Sequence, residues 1–270
     1  MKRVLPAVLI GLLAGFQGGL FGVGGGIVMV PAMVLFLAIP QHRAHATSLA
    51  AMIFSTSAAV IPLALDNRID WDTAGFLAAG SIVGAYLGAR LFSRIPAVWL
   101  ATGFVVLVLA SAVRMLLESE AVGGVATGTT TVEASWVGIL GLVLIGFGAG
   151  VMGALMGVGG GIVNVPALVT LYAFEQHLAQ GTSLAVIVPT ALVATIIHSR
   201  GGHVDWRVAL TLASGGLAGG WLGGRTALAI DGTVLRILFV CFLLLMVGRM
   251  LVRTWRSSRQ ARPKLEESEV

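Results

Sequence analysis

Apolar runs broken by short polar stretches divide the chain into ten segments, five in each half. In the first half they cover about 4–20, 27–39, 48–65, 74–92 and 97–117. In the second they cover about 136–156, 162–174, 183–198, 206–228 and 233–252. A helix needs ~20 apolar residues to cross the hydrocarbon core of a bilayer. Most segments approach that length, and the second of each half falls clearly short of it. A run of glycines separates each short segment from the one before. The pattern predicts an all-α fold, a polytopic membrane protein with a short, Gly-interrupted pair at the start of each half.

The two halves are copies of one unit at a constant offset of 135 residues. Gly22-Val23-Gly24-Gly25-Gly26-Ile27-Val28 recurs as Gly157-Val158-Gly159-Gly160-Gly161-Ile162-Val163. The same offset carries Pro31 to Pro166, Gln41-His42 to Gln176-His177 and Thr47-Ser48 to Thr182-Ser183. It also carries Asp70-Trp71 to Asp205-Trp206 and Arg90 to Arg225, with no gap from Gly11 to Leu116. Self-similarity at a fixed period marks a repeat architecture. The chain therefore divides into a first transmembrane repeat (1–117), a linker (118–135), a second repeat (136–253) and a tail (254–270). Lys2-Arg3 and the apolar run after them have the look of a cleaved signal. That run aligns with a segment inside the protein, so it belongs to the fold.

Composition sharpens this picture. Of 270 residues, 57% are hydrophobic and 11% charged, with a mean hydropathy of +0.96. A soluble domain carries about 25% charged residues, so lipid is the solvent for most of this chain. The net charge of +5 does not indicate nucleic acid. Its basic residues crowd the end, at Arg249, Arg253, Arg256, Arg259, Arg262 and Lys264, beside an apolar segment. That is the composition of a cytoplasmic flank facing lipid headgroups. Cys241, the single cysteine, rules out a disulfide framework.

Charge also suggests orientation. Whether the short pair makes two crossings or one re-entrant hairpin, residues 40–47 return to the starting side, and each half makes an odd number of crossings. With a cytoplasmic N-terminus, Lys2, Arg3, Arg43, Arg90, Arg94, Arg200, Arg207 and the basic tail lie inside. Asp66, Asp70, Asp72, Glu118, Glu120, Glu133, Glu175 and Asp231 lie outside. This matches the positive-inside rule. An even count would turn Arg43, Arg90 and Arg94 outward. The expectation is two inverted-topology repeats, an extracytoplasmic linker and both termini in the cytoplasm.

The candidate chemistry centres on the glycine runs. Gly24, Gly25, Gly26 and Gly159, Gly160, Gly161 each precede a short helix, where free N–H groups and the helix dipole favour an anion. Glycines also let helices pack closely, and both readings stand at this point. Inversion would bring the two runs together near the midplane, where a side chain at Gly25 or Gly160 would take the anion's place. Thr47-Ser48 and Thr182-Ser183 open long helices, as N-caps or as hydroxyl donors to the same cavity. Arg90 and Arg225 serve as interfacial anchors or as anion-attracting gate residues. Gln17 aligns with Met152 and Asn164 with Met29. An amide inside hydrocarbon is costly unless satisfied or functional, so these two either bond between helices or break the symmetry of a binding site. The five histidines fall at segment ends, where solvation is expected, and no metal or other cofactor site is evident. No carboxylate lies deep in a segment, so the usual relay of a proton-coupled pump is missing.

Gly-x-Gly-Gly-Gly-x-x-x-x-Pro at Gly22–Pro31 and Gly157–Pro166, Ala-x-x-Thr-Ser at Ala44–Ser48 and Ala179–Ser183, and Gly-x-x-Leu-Gly-x-Arg at Gly84–Arg90 and Gly219–Arg225 together resemble the TauE/SafE-type sulfite exporter family. The resemblance implies export of sulfite or organosulfur anions across a prokaryotic inner membrane. Ala46 departs from it, standing where the second half has Gly181. The expected partners are a small anionic substrate and the lipid bilayer, without nucleic acid. A divalent-cation permease would want carboxylates or carbonyl-rich breaks in the core, and helix N-termini carry the wrong sign for it. An enzyme would need an acid–base pair, a nucleophile triad or a metal ligand set at membrane depth, and none is present.

Overall fold

The computed structural model describes residues 4–91 and 136–261. The predicted fifth segment of the first half (97–117), the linker (118–135) and the end of the tail lie outside the described residues. Helix α1 spans Val4–Phe21, α2 Gly26–Phe36, α3 Gln41–Leu65 and α4 Trp71–Leu91. The second half supplies α5 Trp136–Met156, α6 Gly161–Leu171, α7 Gln176–Arg200, α8 Trp206–Ala229 and α9 Gly232–Ala261. The described residues are helical throughout, apart from their short connections, as the apolar pattern predicts. By length and hydropathy α1, α3, α5 and α7 are each able to span a membrane. Helix α9 continues past its apolar run and holds the start of the basic tail in helical form.

Two boundaries differ from the sequence reading. Helices α3 and α7 begin at Gln41 and Gln176, seven residues before the apolar runs that mark them. The polar turn ahead of each run is helical too, and its Thr47 and Thr182 bond backbone N–H groups of the other half. Thr47-Ser48 and Thr182-Ser183 therefore sit in the second turn, and Pro40 and Glu175 hold the N-cap positions. The short helices stop early, at Phe36 and Leu171, through a shared cap. Ile39 N–H donates to Met33 O at 3.3 Å and Phe174 N–H to Leu168 O at 3.1 Å. Ala38 and Ala173 take the left-handed conformation, φ 53° and 54°, that such a cap requires.

The two halves interlock. Helix α1 packs chiefly on α8 and helix α4 on α5, so each repeat supplies the other's neighbour. Glycines make this possible: a methyl group on Gly11 would fall 2.0 Å from Leu212 O, and one on Gly146 2.1 Å from Leu77 O. These two contacts are repeat-related and reciprocal. Gly215, Gly219 and Gly223 of α8 face Val8, Leu12 and Phe16 of α1, while Gly80, Gly84 and Gly88 of α4 face Val143, Phe147 and Val151 of α5. In lipid, helix association rests on close packing of this kind, with small residues letting backbones touch. Large apolar side chains such as Leu13, Trp136 and Leu144 are exposed around the outside, as a lipid-facing surface requires.

Directions follow from the same contacts. Residue numbers rise together along the α1–α8 seam, so these helices are parallel. Met52, midway along α3, and Ile187, midway along α7, meet at the same glycines, while Arg68 O, just past the end of α3, abuts Gly181 near the start of α7. Helices α3 and α7, repeat-related, run antiparallel. The start of α3 bonds the start of α8 (Asp205 N–H to Thr47 Oγ1, 3.1 Å), and the first turns of α8 line the first turns of α1. Residues 40–47 thus lie at the end where α1 begins.

Candidate functional site

Both glycine runs converge on one junction. After α1 the chain turns back on itself, so that Gly25 returns to the level of Ala14. Gly25 and Gly160 are the N-caps of α2 and α6, each at φ 85°, a left-handed conformation natural only to glycine. Among the described residues the N–H groups of Gly26, Ile27, Gly161 and Ile162 make no backbone hydrogen bond, as expected in a first helical turn. The runs lie against one another: a methyl on Gly26 would fall 2.1 Å from Gly157 O, and one on Gly161 2.4 Å from Gly22 O. Gly24, Gly25, Gly26, Gly159, Gly160 and Gly161 are therefore gathered in one place.

Reciprocal hydrogen bonds fasten the junction. Ser183 Oγ donates to Gly22 O at 2.9 Å. Ser48 Oγ, its counterpart, lies 2.8 Å from Gly157 O and 2.8 Å from His45 O, one proton serving both. Asp70 N–H donates to Thr182 Oγ1 at 3.0 Å and Asp205 N–H to Thr47 Oγ1 at 3.1 Å. All four hydroxyls are fully buried. They tie one half's helix to the other half's backbone, which replaces the capping role read from the sequence and directs the serine protons to carbonyls.

Other buried polar groups lack such partners. Among the described residues, neither amide atom of Gln17, Asn164 or Gln180 has a hydrogen-bonding partner, nor does Thr56 Oγ1. Asn164 and Gln180 are fully buried and Thr56 is 1% exposed. An unsatisfied buried polar group costs about 1–3 kcal/mol, so each needs a reason. Thr56 lies beside the first glycine run, where a methyl on Gly24 would stand 3.4 Å from its hydroxyl. The backbone and Cβ of Gln180 crowd Gly22 in the same way.

Arg90 and Arg225 are not brought to the junction. They are exposed at the ends of α4 and α8, with the guanidinium groups 4.4 Å above the Tyr86 ring and 5.7 Å above the Trp221 ring. Tyr86 and Trp221 are themselves repeat-related. Paired cation–π stacking suits interfacial anchors.

Of the histidines, His177 and His198 depart from the expected solvated positions by being buried, while His42 is exposed. His177 is 6% exposed; its Nε2 is 3.1 Å from both Ala227 O and Ile230 O, and its Nδ1 is 3.1 Å from Glu175 Oε1. It fastens the end of α8. His45 bonds Met156 O through Nδ1, and His42 and His198 pack on His203 with ring centroids 4.9 and 6.4 Å away. Among the described residues no group of three or more His, Cys, Asp or Glu has metal-binding geometry.

Sequence reasoning missed Met52 and Ile187, which fill the space over both glycine runs, together with Thr56 and Gln180. The first two look like any apolar residue of a membrane segment. A signal existed for the others, since each departs from the repeat: Thr56 aligns with Ala191 and Gln180 with His45.

Residues 7–250 match the family model described as sulfite exporter TauE/SafE. The chain belongs to this family. It is a multi-pass membrane protein of a family of membrane transporters. It is 28% identical over 272 residues to the "probable membrane transporter protein YunE" of Bacillus subtilis (strain 168), covering 91% of this chain and 96% of that one. A "probable membrane transporter protein" of Xylella fastidiosa (strain 9a5c) is 28% identical over 263 residues, covering 95% and 97%. The Arabidopsis thaliana "sulfite exporter TauE/SafE family protein 3" is 32% identical over 115 residues, covering 43% of this chain and 24% of that protein. No solved structure matches the chain.

Proposed function

We propose that this transporter carries small sulfur-containing oxyanions, such as sulfite or a sulfonate, bound between the opposed N-termini of α2 and α6. One observation carries the reading: two helix N-termini, their first N–H groups free of backbone partners among the described residues, abut at a buried junction. Each is equivalent to roughly half a positive charge, which suits one or two negative charges and repels a cation. Thr56, Asn164, Gln17 and Gln180 add buried donors without adding charge. The matched family description names sulfite, in keeping with such a ligand. We place the two repeats in inverted orientation in the inner membrane of a prokaryote, with both termini cytoplasmic. The antiparallel run of α3 and α7 and the shared end of α1 and residues 40–47 support this.

The test is binding in detergent. Sulfite and sulfoacetate should raise the thermal unfolding midpoint in a concentration-dependent way, because a ligand that binds only the folded state stabilises it. Nickel should leave the midpoint unchanged. Stabilisation by nickel alone would assign the junction to a cation.

A further inference from the structure

Met52 of α3 and Ile187 of α7 hold the same place in the two repeats and meet where the glycine runs meet. Both are 0% exposed. A methyl on Gly24 or on Gly159 would fall 2.4 Å from Met52 Cε, and 3.3 or 2.9 Å from Ile187 Cγ2. A methyl on Gly26 would fall 2.9 Å from Met52 Sδ, and one on Gly161 2.8 Å from Ile187 Cδ1. Each side chain therefore touches the glycines of its own half and of the other. Together they cover the positive ends of α2 and α6 with a thioether and a branched alkyl group. An anion approaching those N–H groups through this cover must displace the pair. Thr56, one helical turn beyond Met52, keeps its buried hydroxyl, unpartnered among the described residues, beside Gly24, so a polar contact waits directly behind the apolar cover.

We propose that Met52 and Ile187 form the closed gate of the anion passage and set the size of anion it admits. The inference rests on the anion-carrier reading of the junction. The two residues are suited to different motions. Methionine is unbranched and swings aside by rotation about its own side-chain bonds. Isoleucine is stiff at χ1, so its displacement requires α7 to bend. Pro189, two residues further along α7, lacks the N–H that would bond Ala185 O and loosens the helix at that level. Helix α3 has Phe54 at the equivalent position and keeps its ladder there. The gate thus opens by a side-chain swing on one side and a helix bend on the other.

The experiment compares flux of labelled sulfite and of benzenesulfonate through the full chain in proteoliposomes. The Met52→Ala/Ile187→Ala double variant should pass benzenesulfonate about tenfold faster than the wild type, the discrimination that a few methylenes command, while retaining sulfite flux. Met52→Trp should suppress both. Wild-type selectivity in a well-folded double variant overturns the gate and leaves the carrier reading standing. A wild type that passes neither anion overturns both. If the double variant does not fold, Met52→Cys in a Cys241→Ser background decides the matter. A membrane-impermeant thiol reagent should label it at least about tenfold faster with sulfite present than without, because a buried side chain is reached only from the open state. Equal labelling with and without sulfite would show that turnover does not move this side chain, and the gate would fall.

Discussion

At the scale of single residues, glycine serves the fold and the site at once. A side chain at Gly25 meets Ala14 O at 2.3 Å and one at Gly160 meets Ala149 O at 2.7 Å, both from left-handed backbone. Valine at either position would damage packing before it displaced any ligand, so its effect on transport is ambiguous. Thr56 offers a cleaner probe. Thr56→Val keeps the shape and removes an unsatisfied hydroxyl, which should leave stability unchanged or slightly raised. Sulfite affinity should fall about tenfold, the equivalent of ~1.4 kcal/mol, read by titration in detergent. Unchanged affinity would remove Thr56 from the site. The glycine clusters and the amides of Gln17 and Asn164 were legible in the sequence, because glycine and buried amides are conspicuous in an apolar background. Met52 and Ile187 were not, since nothing in an apolar residue's identity says whether it faces lipid, core or passage.

At the scale of elements, the repeat made the helices readable and their ends less so. Apolar runs locate what lipid or core surrounds, and the polar first turns of α3 and α7 carry no such mark. Thr47 and Thr182 looked like caps for that reason, although Pro40 and Glu175 hold the N-cap positions without a side-chain bond, and side-chain capping falls to the two helices that follow. Asp70 Oδ1 accepts from Thr73 N–H at 3.0 Å and Asp205 Oδ1 from Val208 N–H at 3.2 Å, closing the starts of α4 and α8. Asp70→Ala and Asp205→Ala should each cost about 1 kcal/mol, measured as matching losses of thermal stability in detergent. A much larger loss at one of them would show that the repeats do not share this role. The serine and threonine cross-links between halves could not be read from sequence, because they join residues more than a hundred positions apart.

At the scale of the whole molecule, the reciprocal seams of α1 with α8 and α4 with α5 bind the halves into one body around the glycine junction. If the repeats are inverted, single cysteines in a Cys241→Ser background should label from opposite sides. Asn67, just past α3, should react from outside and Ser199, near the end of α7, only from inside; the reverse, or labelling of both from one side, would remove the proposed orientation. The central claim concerns the charge of the cargo. Two positive helix ends, with no buried carboxylate in the predicted segments, favour an anion moving without an obligatory proton relay. An interior-negative potential then drives its exit by ~2.3 kcal/mol per charge per 100 mV. The most direct measurement is flux of labelled sulfite from proteoliposomes held at a set membrane potential. The flux should be electrogenic, rise with interior-negative potential and reverse with its sign. Vesicles that move nickel, while sulfite and sulfonates stay put at every potential, would contradict the account.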